Sequence, residues 1–158
     1  MNISIITVNY NDASGLERTI KSVESLNGEF ELVVVDGGST DGSLDVIKKH
    51  AGVISRYVSE PDKGIYNAMN KGVRMATGDY CIFMNAGDAF YDERVLIDIE
   101  KKTKLQSDII TGITQNVQNG IDGDTWYPPK SSELTLHYFL SSSISHQATF
   151  IKRDLLQK

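Results

Sequence analysis

At 158 residues, with 40% hydrophobic and 23% charged residues, the chain is sized for one soluble domain around a single core. A net charge of −5 speaks against a nucleic-acid backbone as partner, and leaves room for an anionic nucleotide held by local donors or a cation. The one cysteine, Cys81, sits in an apolar run and reads as core; an internal disulfide framework is excluded, which fits a reducing, cytoplasmic setting. The opening MNISIITVNYN lacks the basic start and long apolar core of a secretory signal, and no run reaches the length of a membrane span.

Strand-like and helix-like patterns alternate through the first hundred residues. The spacing predicts a strand over 3–9 and a helix over 13–26, with Ser14 and Glu17 at capping-box spacing and Leu16, Ile20 and Val23 on one apolar stripe. A second strand covers 30–36, a short helix 44–50 and a third strand 53–59. A polar loop leads into a helix over 65–76, where Ile65, Met69, Val73 and Ala76 share a face. Gly78 ends it, a fourth strand covers 80–84, a helix 95–104, and a fifth strand 108–113. This βαβαβαβ order predicts an α/β fold with a mostly parallel central sheet and helices on both faces. From 114 to 145 the pattern weakens, with Gly120, Gly123, Pro128 and Pro129 marking turns, as expected of acceptor-binding loops or of irregular chain. The last residues, IKRDLLQK, read as a strand end entering a helix, the pattern expected of a domain truncated at its C-terminus.

In a parallel sheet three strand ends point the same way, toward the edge where such sheets bind ligands. The first carries Thr7, Asn9, Tyr10 and Asn11, the second Asp36, the fourth Asn85 and Asp88. In ELVVVDGGSTDGS, Asp36 ends a buried apolar run, and Gly37 and Gly38 let the backbone turn tightly and approach a ligand. Asp36 thus reads either as a carboxylate facing a ligand crevice or as a helix cap, and Ser39, Thr40 or Asp41 can cap the next helix. Tyr10 reads as a stacking ring or as part of the core edge. MNAGD, 84–88, is a polar elbow whose acid suits a hard cation or a plain turn. EPDKGIYNAMNKG, 60–72, puts Asp62 and Lys63 before a helix N-terminus that can face an anion. ISHQATF, 144–150, places His146 and Gln147 before a short strand. His50 and His137 have no partner motif and read as surface or packing residues. The turn after the first strand, NYNDASG, has no G-x-G-x-x-G and no Gly-rich basic loop, which speaks against a dinucleotide-dependent oxidoreductase and a nucleotidyltransferase.

Together these segments resemble the family 2 glycosyltransferases, whose nucleotide-sugar-binding domain has the GT-A fold. ISIITVNYN is similar to the family's first strand, VVVDGGSTDGS to its nucleotide-binding acid loop, EPDKGIYNAMNKG to the segment that follows, and FMNAGD to its DXD-type motif. ISHQATFIKRDLL resembles the segment before the acceptor-side helix in bacterial polysaccharide-assembling members. The four motifs in this order are a specific combination. The resemblance implies inverting transfer of a sugar from a UDP-, GDP- or dTDP-sugar to a hydroxyl of a saccharide or lipid-linked saccharide, in the cytoplasm or at the inner face of the membrane. It implies that Asp36 holds the base, with Thr7, Asn9 and Tyr10 lining its pocket and Asp62 and Lys63 flanking the nucleotide. It further implies that Asp88, beside Asn85, binds the Mg²⁺ or Mn²⁺ that bridges the diphosphate, and that His146 and Gln147 lie on the acceptor or phosphate side. Residues 1–113 form the nucleotide-sugar-binding part and 114–158 a partial acceptor side of one GT-A domain, in a chain compatible with a homo-oligomer. Two departures stand out. Asn85 replaces the first acid of the DXD-type motif, and the family's general base would lie beyond Lys158, since Asp122, Asp124, Glu133 and Asp154 match nothing. The expectation is a polypeptide that binds donor nucleotide but transfers sugar poorly; the alternative is a non-catalytic nucleotide or nucleotide-sugar binding module.

Overall fold

Two apolar runs set the centre of the fold. ISIITVN forms β1 (Ile3–Asn9) and FELVVVD forms β2 (Phe30–Asp36), strands buried on both faces almost throughout, as parallel strands covered by helices must be. The computed structural model describes residues 2–103, 107–118, 120–133 and 144–157. β3 (Ile54–Ser59) flanks β2 and β4 (Tyr80–Phe83) flanks β1, both in parallel. Strand alternation divides the core between the faces. Ile3, Ile5, Leu32 and Val34 meet α1 (Ala13–Glu24), α2 (Ser43–Lys49) and α4 (Val95–Thr103) through Leu16, Ile20, Ile47 and Leu96. Ile6, Val8, Val33 and Val35 meet α3 (Ile65–Met75) through Ala68, Met69 and Val73. α3 lies close because a Cβ on Gly72 would run into Ile6.

Helix starts differ from the sequence expectation in ways that matter for the site. Asp12, not Ser14, caps α1: its Oδ1 accepts from the Gly15 amide at 2.8 Å, and Ser14 lies inside the helix. Glu17 instead pairs with Lys21 and Lys49. α2 starts after Gly42, whose φ of +97° suits glycine, and Asp41 Oδ1 accepts from the Ser43 amide. On α3, Met69, Val73 and Ala76 are buried, whereas Ile65 is exposed at the helix start.

The other half of the sheet departs further. β5 (Ile109–Thr111) is not beside β4. β8 (Thr149–Lys152) occupies that slot, antiparallel to both, giving the order β3-β2-β1-β4-β8-β5. Phe150 buries itself in the α1-side core and secures the insertion. The sheet is therefore mixed, and chain from both sides of residue 113 shares it. In the weakly patterned stretch, β6 (Thr114–Gln118) and β7 (Ile121–Trp126) form a separate antiparallel hairpin that was not expected, turning at Gly120 with φ +75°. α5 (Arg153–Leu156) follows β8 as read from the sequence. Lys104, the expected end of α4, and His137 lie outside the described residues. His50 packs against α1, its Nδ1 2.7 Å from Glu24 Oε1.

Candidate functional site

The chain leaves β1 toward β2 and β3, then crosses back to β4 on the other side. Such a reversal opens a crevice at the carboxyl ends of the strands. Here it is a cavity of about 660 Å³, lined by Val8, Asn9, Tyr10, Asp12, Gly37, Pro61, Asp62, Gly64, Ile65, Ala68, Asn85 and Ala86. That volume suits a nucleotide-sized ligand. The lining holds two carboxylates, Asp12 and Asp62, and no lysine or arginine.

One wall is built by two glycines. A Cβ on Gly37 would sit 2.8 Å from Asp62 Oδ2 and 3.1 Å from Tyr10 Cδ2, so only glycine lets these side chains meet. Gly38 has φ +80°, and a Cβ there would lie 3.1 Å from the Pro61 nitrogen. Asp62 Oδ1 accepts from the Gly64 amide at 2.8 Å, which fixes the carboxylate over Gly37. The Tyr10 ring is 69% exposed, open for stacking. Lys63 is not part of the lining; its amide donates to Asn67 Oδ1 at 3.2 Å.

Asp36 does not face this cavity. Alternation along β2 turns it to the α1–α2 side with Val34, and it has no exposed surface. Its oxygens accept from Asn9 Nδ2 (2.8 Å), Ser39 Oγ (2.5 Å), the Ser39 amide (3.0 Å) and Ser59 Oγ (2.7 Å). Burial alone would raise its pKa, but these four donors hold the carboxyl below its ordinary value. Its work in this geometry is to tie the ends of β1, β2 and β3 into one floor. Thr7 lies on the same side, fully buried, its hydroxyl without a partner among the described residues, and is not part of the lining. Asn9 reaches both places: it lines the cavity and donates to Asp36 and Ser39.

The opposite wall is the elbow after β4. The Asn85 amide donates to Asp88 Oδ2 and the Asp88 amide to the Asn85 carbonyl, both at 2.9 Å, a closed turn completed by Gly87 at φ +99°. Asn85 Nδ2 lies 3.0 Å from His146 Nε2, while Asn85 Oδ1 is buried without a partner among the described residues. Burial pushes the Asp88 carboxyl above its ordinary value, against the opposing pull of the Asn85 amide and of His146. Gln147 sits one residue beyond His146, its Oε1 accepting from Ser145 Oγ at 3.0 Å. No group of three or more His, Cys, Asp or Glu gathers as a cation cage among the described residues.

The fold thus brings together Asn9, Tyr10, Asp62 and Asn85 at the cavity, with Asp88 and His146 bonded to Asn85. It leaves Thr7, Asp36 and Lys63 off the lining. Sequence reasoning missed Asp12, a cap that is also a lining residue, Ser59, a donor to Asp36, and Thr19, whose hydroxyl accepts from the Gly87 amide of the elbow. The position of Asp12 one residue before a helix start was a usable signal. Nothing local in the sequence marks Ser59 or Thr19.

Known proteins resemble this chain in sequence and in fold. The family model described as "Glycosyl transferase family 2" matches residues 4–158. A PGL/p-HBAD biosynthesis glycosyltransferase of Mycobacterium bovis is 39% identical over 96% of this chain and 59% of its own length. An uncharacterized glycosyltransferase of Mycobacterium tuberculosis is 32% identical over 99% of this chain and 60% of its own. The chain therefore spans about 60% of the length of these curated relatives. Among solved structures, Staphylococcus aureus TarS 1–349 in complex with UDP-GlcNAc superposes with a TM-score of 0.77 at 20% identity, covering 99% of this chain and 47% of TarS. A mannosyltransferase from Pyrobaculum calidifontis, in complex with GDP-Man and Mn²⁺, gives 0.69 at 22% identity over 98% of this chain and 45% of its own. These two likenesses establish the GT-A fold.

Proposed function

The chain belongs to glycosyl transferase family 2, and on that premise we propose that it binds a nucleoside-diphosphate sugar in the cleft and serves its inverting transfer to an acceptor hydroxyl in cell-surface polysaccharide assembly. The observation that carries this reading is the cavity of about 660 Å³ at the sheet's reversal point, with an exposed ring and a fixed carboxylate on one wall and a polar elbow on the other. Tyr10 stacks on the base and Asp62 Oδ2 accepts from its imide or amide N–H. Asn9 bridges the cavity to the Asp36 floor, Asp36 acts from behind by holding the strand ends, and Thr7 fills the buried side of β1 beneath them. Lys63 meets phosphate charge at the rim.

A diphosphate entering a lining that carries two carboxylates and no cationic side chain needs compensating positive charge. The elbow fits Mg²⁺ or Mn²⁺: Asp88 and the unpartnered Asn85 Oδ1 are hard oxygen donors, and such ions need one or two protein ligands when phosphate oxygens and water complete the shell. A cation held there supplies Lewis-acid charge to the departing diphosphate. The Mn²⁺ and nucleotide sugars bound by the fold neighbours support this assignment. Residues 1–113 form the donor side; 114–158, with His146 and Gln147, form the acceptor side. UDP-, GDP- or dTDP-sugars are the donors, and a saccharide or lipid-linked saccharide at the inner membrane face is the acceptor. No helix of the described residues is long and apolar enough to cross a membrane.

Calorimetric titration with UDP, GDP, dTDP and CMP, with and without Mn²⁺, tests the reading. One nucleotide binds and Mn²⁺ tightens it. Tyr10→Ala and Asp62→Ala each weaken binding about tenfold under both conditions, the scale of one lost stacking or hydrogen-bonding contact. Asp88→Ala removes only the Mn²⁺ increment. Binding of no nucleotide, or binding indifferent to all three substitutions, overturns it.

A further inference from the structure

The donor side of the site hangs on a loop whose own bonds do not fix it in place. The two hydrogen bonds between Asn85 and Asp88 close the elbow on itself. Toward the rest of the molecule, the Ala86 amide donates to the Val8 carbonyl at 3.0 Å, which anchors the elbow's first half to β1. Its second half is gripped by one side chain of α1. Thr19 has no exposed surface, and its hydroxyl accepts from the Gly87 amide at 3.0 Å. The same oxygen lies 2.7 Å from the Asp88 carbonyl and 3.1 Å from the Asn85 carbonyl, so its single proton serves the two ends of the turn. One helical turn on, Ser22 Oγ accepts from the Phe90 amide at 2.7 Å, continuing the contact past the elbow.

We infer that Thr19 is a positioning residue for the cation and diphosphate side of the site: it touches no ligand, and its hydroxyl sets the elbow that presents Asn85 and Asp88. Threonine suits this place in three ways. Its γ-methyl belongs to a helix face otherwise packed in the core beside Leu16, Ile20 and Val23. Its hydroxyl both donates and accepts, as a turn with a free amide and free carbonyls requires. Its β-branch leaves χ1 few choices in a helix, so the hydroxyl is aimed before the elbow meets it. A helix end that shifted with ligand would carry the elbow along, since α1 begins at the Asp12 cap, itself a lining residue of the cavity.

This inference rests on the donor-site reading for its functional consequence and on the hydrogen bonds alone for its structural one, so two measurements separate them. Thr19→Val keeps the volume and loses the hydroxyl; Thr19→Ser keeps the hydroxyl; Val23→Ala, in the core on the same helix, serves as a control for packing loss. By calorimetry with UDP, GDP and dTDP, Thr19→Val lowers the Mn²⁺-dependent part of the affinity about 10- to 100-fold, as removal of an outer partner of a metal ligand does. Its Mn²⁺-free nucleotide affinity changes less than about threefold, and Thr19→Ser restores most of the Mn²⁺ increment. Val23→Ala lowers the melting temperature without touching the increment. Amide hydrogen exchange supplies the second readout: Asn85 and Gly87 amides exchange faster in Thr19→Val, while β1 and β2 amides keep their protection. A folded Thr19→Val protein that retains the full Mn²⁺ increment overturns the inference. So does equal loss of the Mn²⁺-free and Mn²⁺-dependent affinity, which would mark a general packing defect. If the wild-type chain binds none of the three nucleotides, the donor-site reading fails and exchange decides alone: unchanged Asn85 and Gly87 amides overturn the positioning role, and faster exchange upholds it.

Discussion

Asp36 and Asp88 are both strand-end acids, and their surroundings drive them in opposite directions. Asp36 is buried but accepts from four donors, and its pKa falls below 3.8. A carboxyl lowered by folding stabilises above its unfolded pKa, and that contribution is lost as pH falls through the folded value. Asp36→Asn keeps the shape but loses the charge-assisted bonds. We expect it to cost about 2–3 kcal/mol at pH 7 in urea denaturation, and to flatten the fall in stability that the wild-type protein shows below about pH 4. Asp88 has a raised pKa, with burial as the leading cause. A raised carboxyl stabilises below its unfolded pKa, and that contribution disappears as pH rises through the folded value, so ionised Asp88 burdens the apo protein at neutral pH. Asp88→Asn is expected to raise the melting temperature at pH 7, to leave it nearly unchanged at pH 3, and to lose the Mn²⁺-dependent part of nucleotide binding. A thermal melt at the two pH values checks the first pair, and calorimetry the last. Residue type alone could not separate these two acids. Both come after apolar strands and sit next to a glycine, Gly37 for Asp36 and Gly87 for Asp88; only the face each side chain takes, and the donors waiting there, decide.

Among the elements, α1 carries more of the site than its sequence suggests. Its cap Asp12 lines the cavity, and Thr19 and Ser22 hold the loop from Asn85 to Phe90. Glu17 draws Lys21 and Lys49 together and binds α1 to α2; their ammonium groups hold its pKa at about 2. The turn after β1 is stitched to the Asp36 loop: Asn11, at φ +51°, accepts from the Thr40 amide at 2.8 Å and donates its own amide to Ser39 Oγ at 2.8 Å. Two loops distant in sequence thus form one rigid edge under Tyr10. The apolar stripe of α1 was readable from period alone. Its polar inner positions were not, because a threonine among leucine and isoleucine carries no local mark of what its hydroxyl will meet.

Across the whole molecule, the sheet separates stability from ligand contact by its two ends. At the amino end, opposite the cleft, Glu31 is buried and accepts from Ser4 Oγ, the Thr77 and Gly78 amides, and Arg56 at 2.9 Å. Burial alone would raise its pKa, and these donors hold it below 4.5 instead. Glu31→Gln is expected to cost about 1–3 kcal/mol and to lower the melting temperature by several degrees. Nucleotide affinity should be unchanged, because the site is at the other end of the strands. Parallel calorimetry and thermal melts on the same variant would expose any coupling between the ends.

The parallel half of the fold was legible in the order of the residues alone. Long apolar runs ending in glycine and acid can only be covered strands, and β1 and β2 begin and end at the residues that their patterns predict. Period and punctuation are local, and they suffice where both faces of a strand are buried. They also singled out Tyr10, Asp62 and Asn85, which the fold brings to one cavity. Three features came only with the folded chain: Asp36 turns away from that cavity, β8 enters antiparallel beside β4, and β6 pairs with β7 as a hairpin. Each of these depends on pairing between distant segments. Four residues such as TFIK satisfy either strand direction, and the direction is settled by the slot that remains beside β4 and by the buried place it offers Phe150.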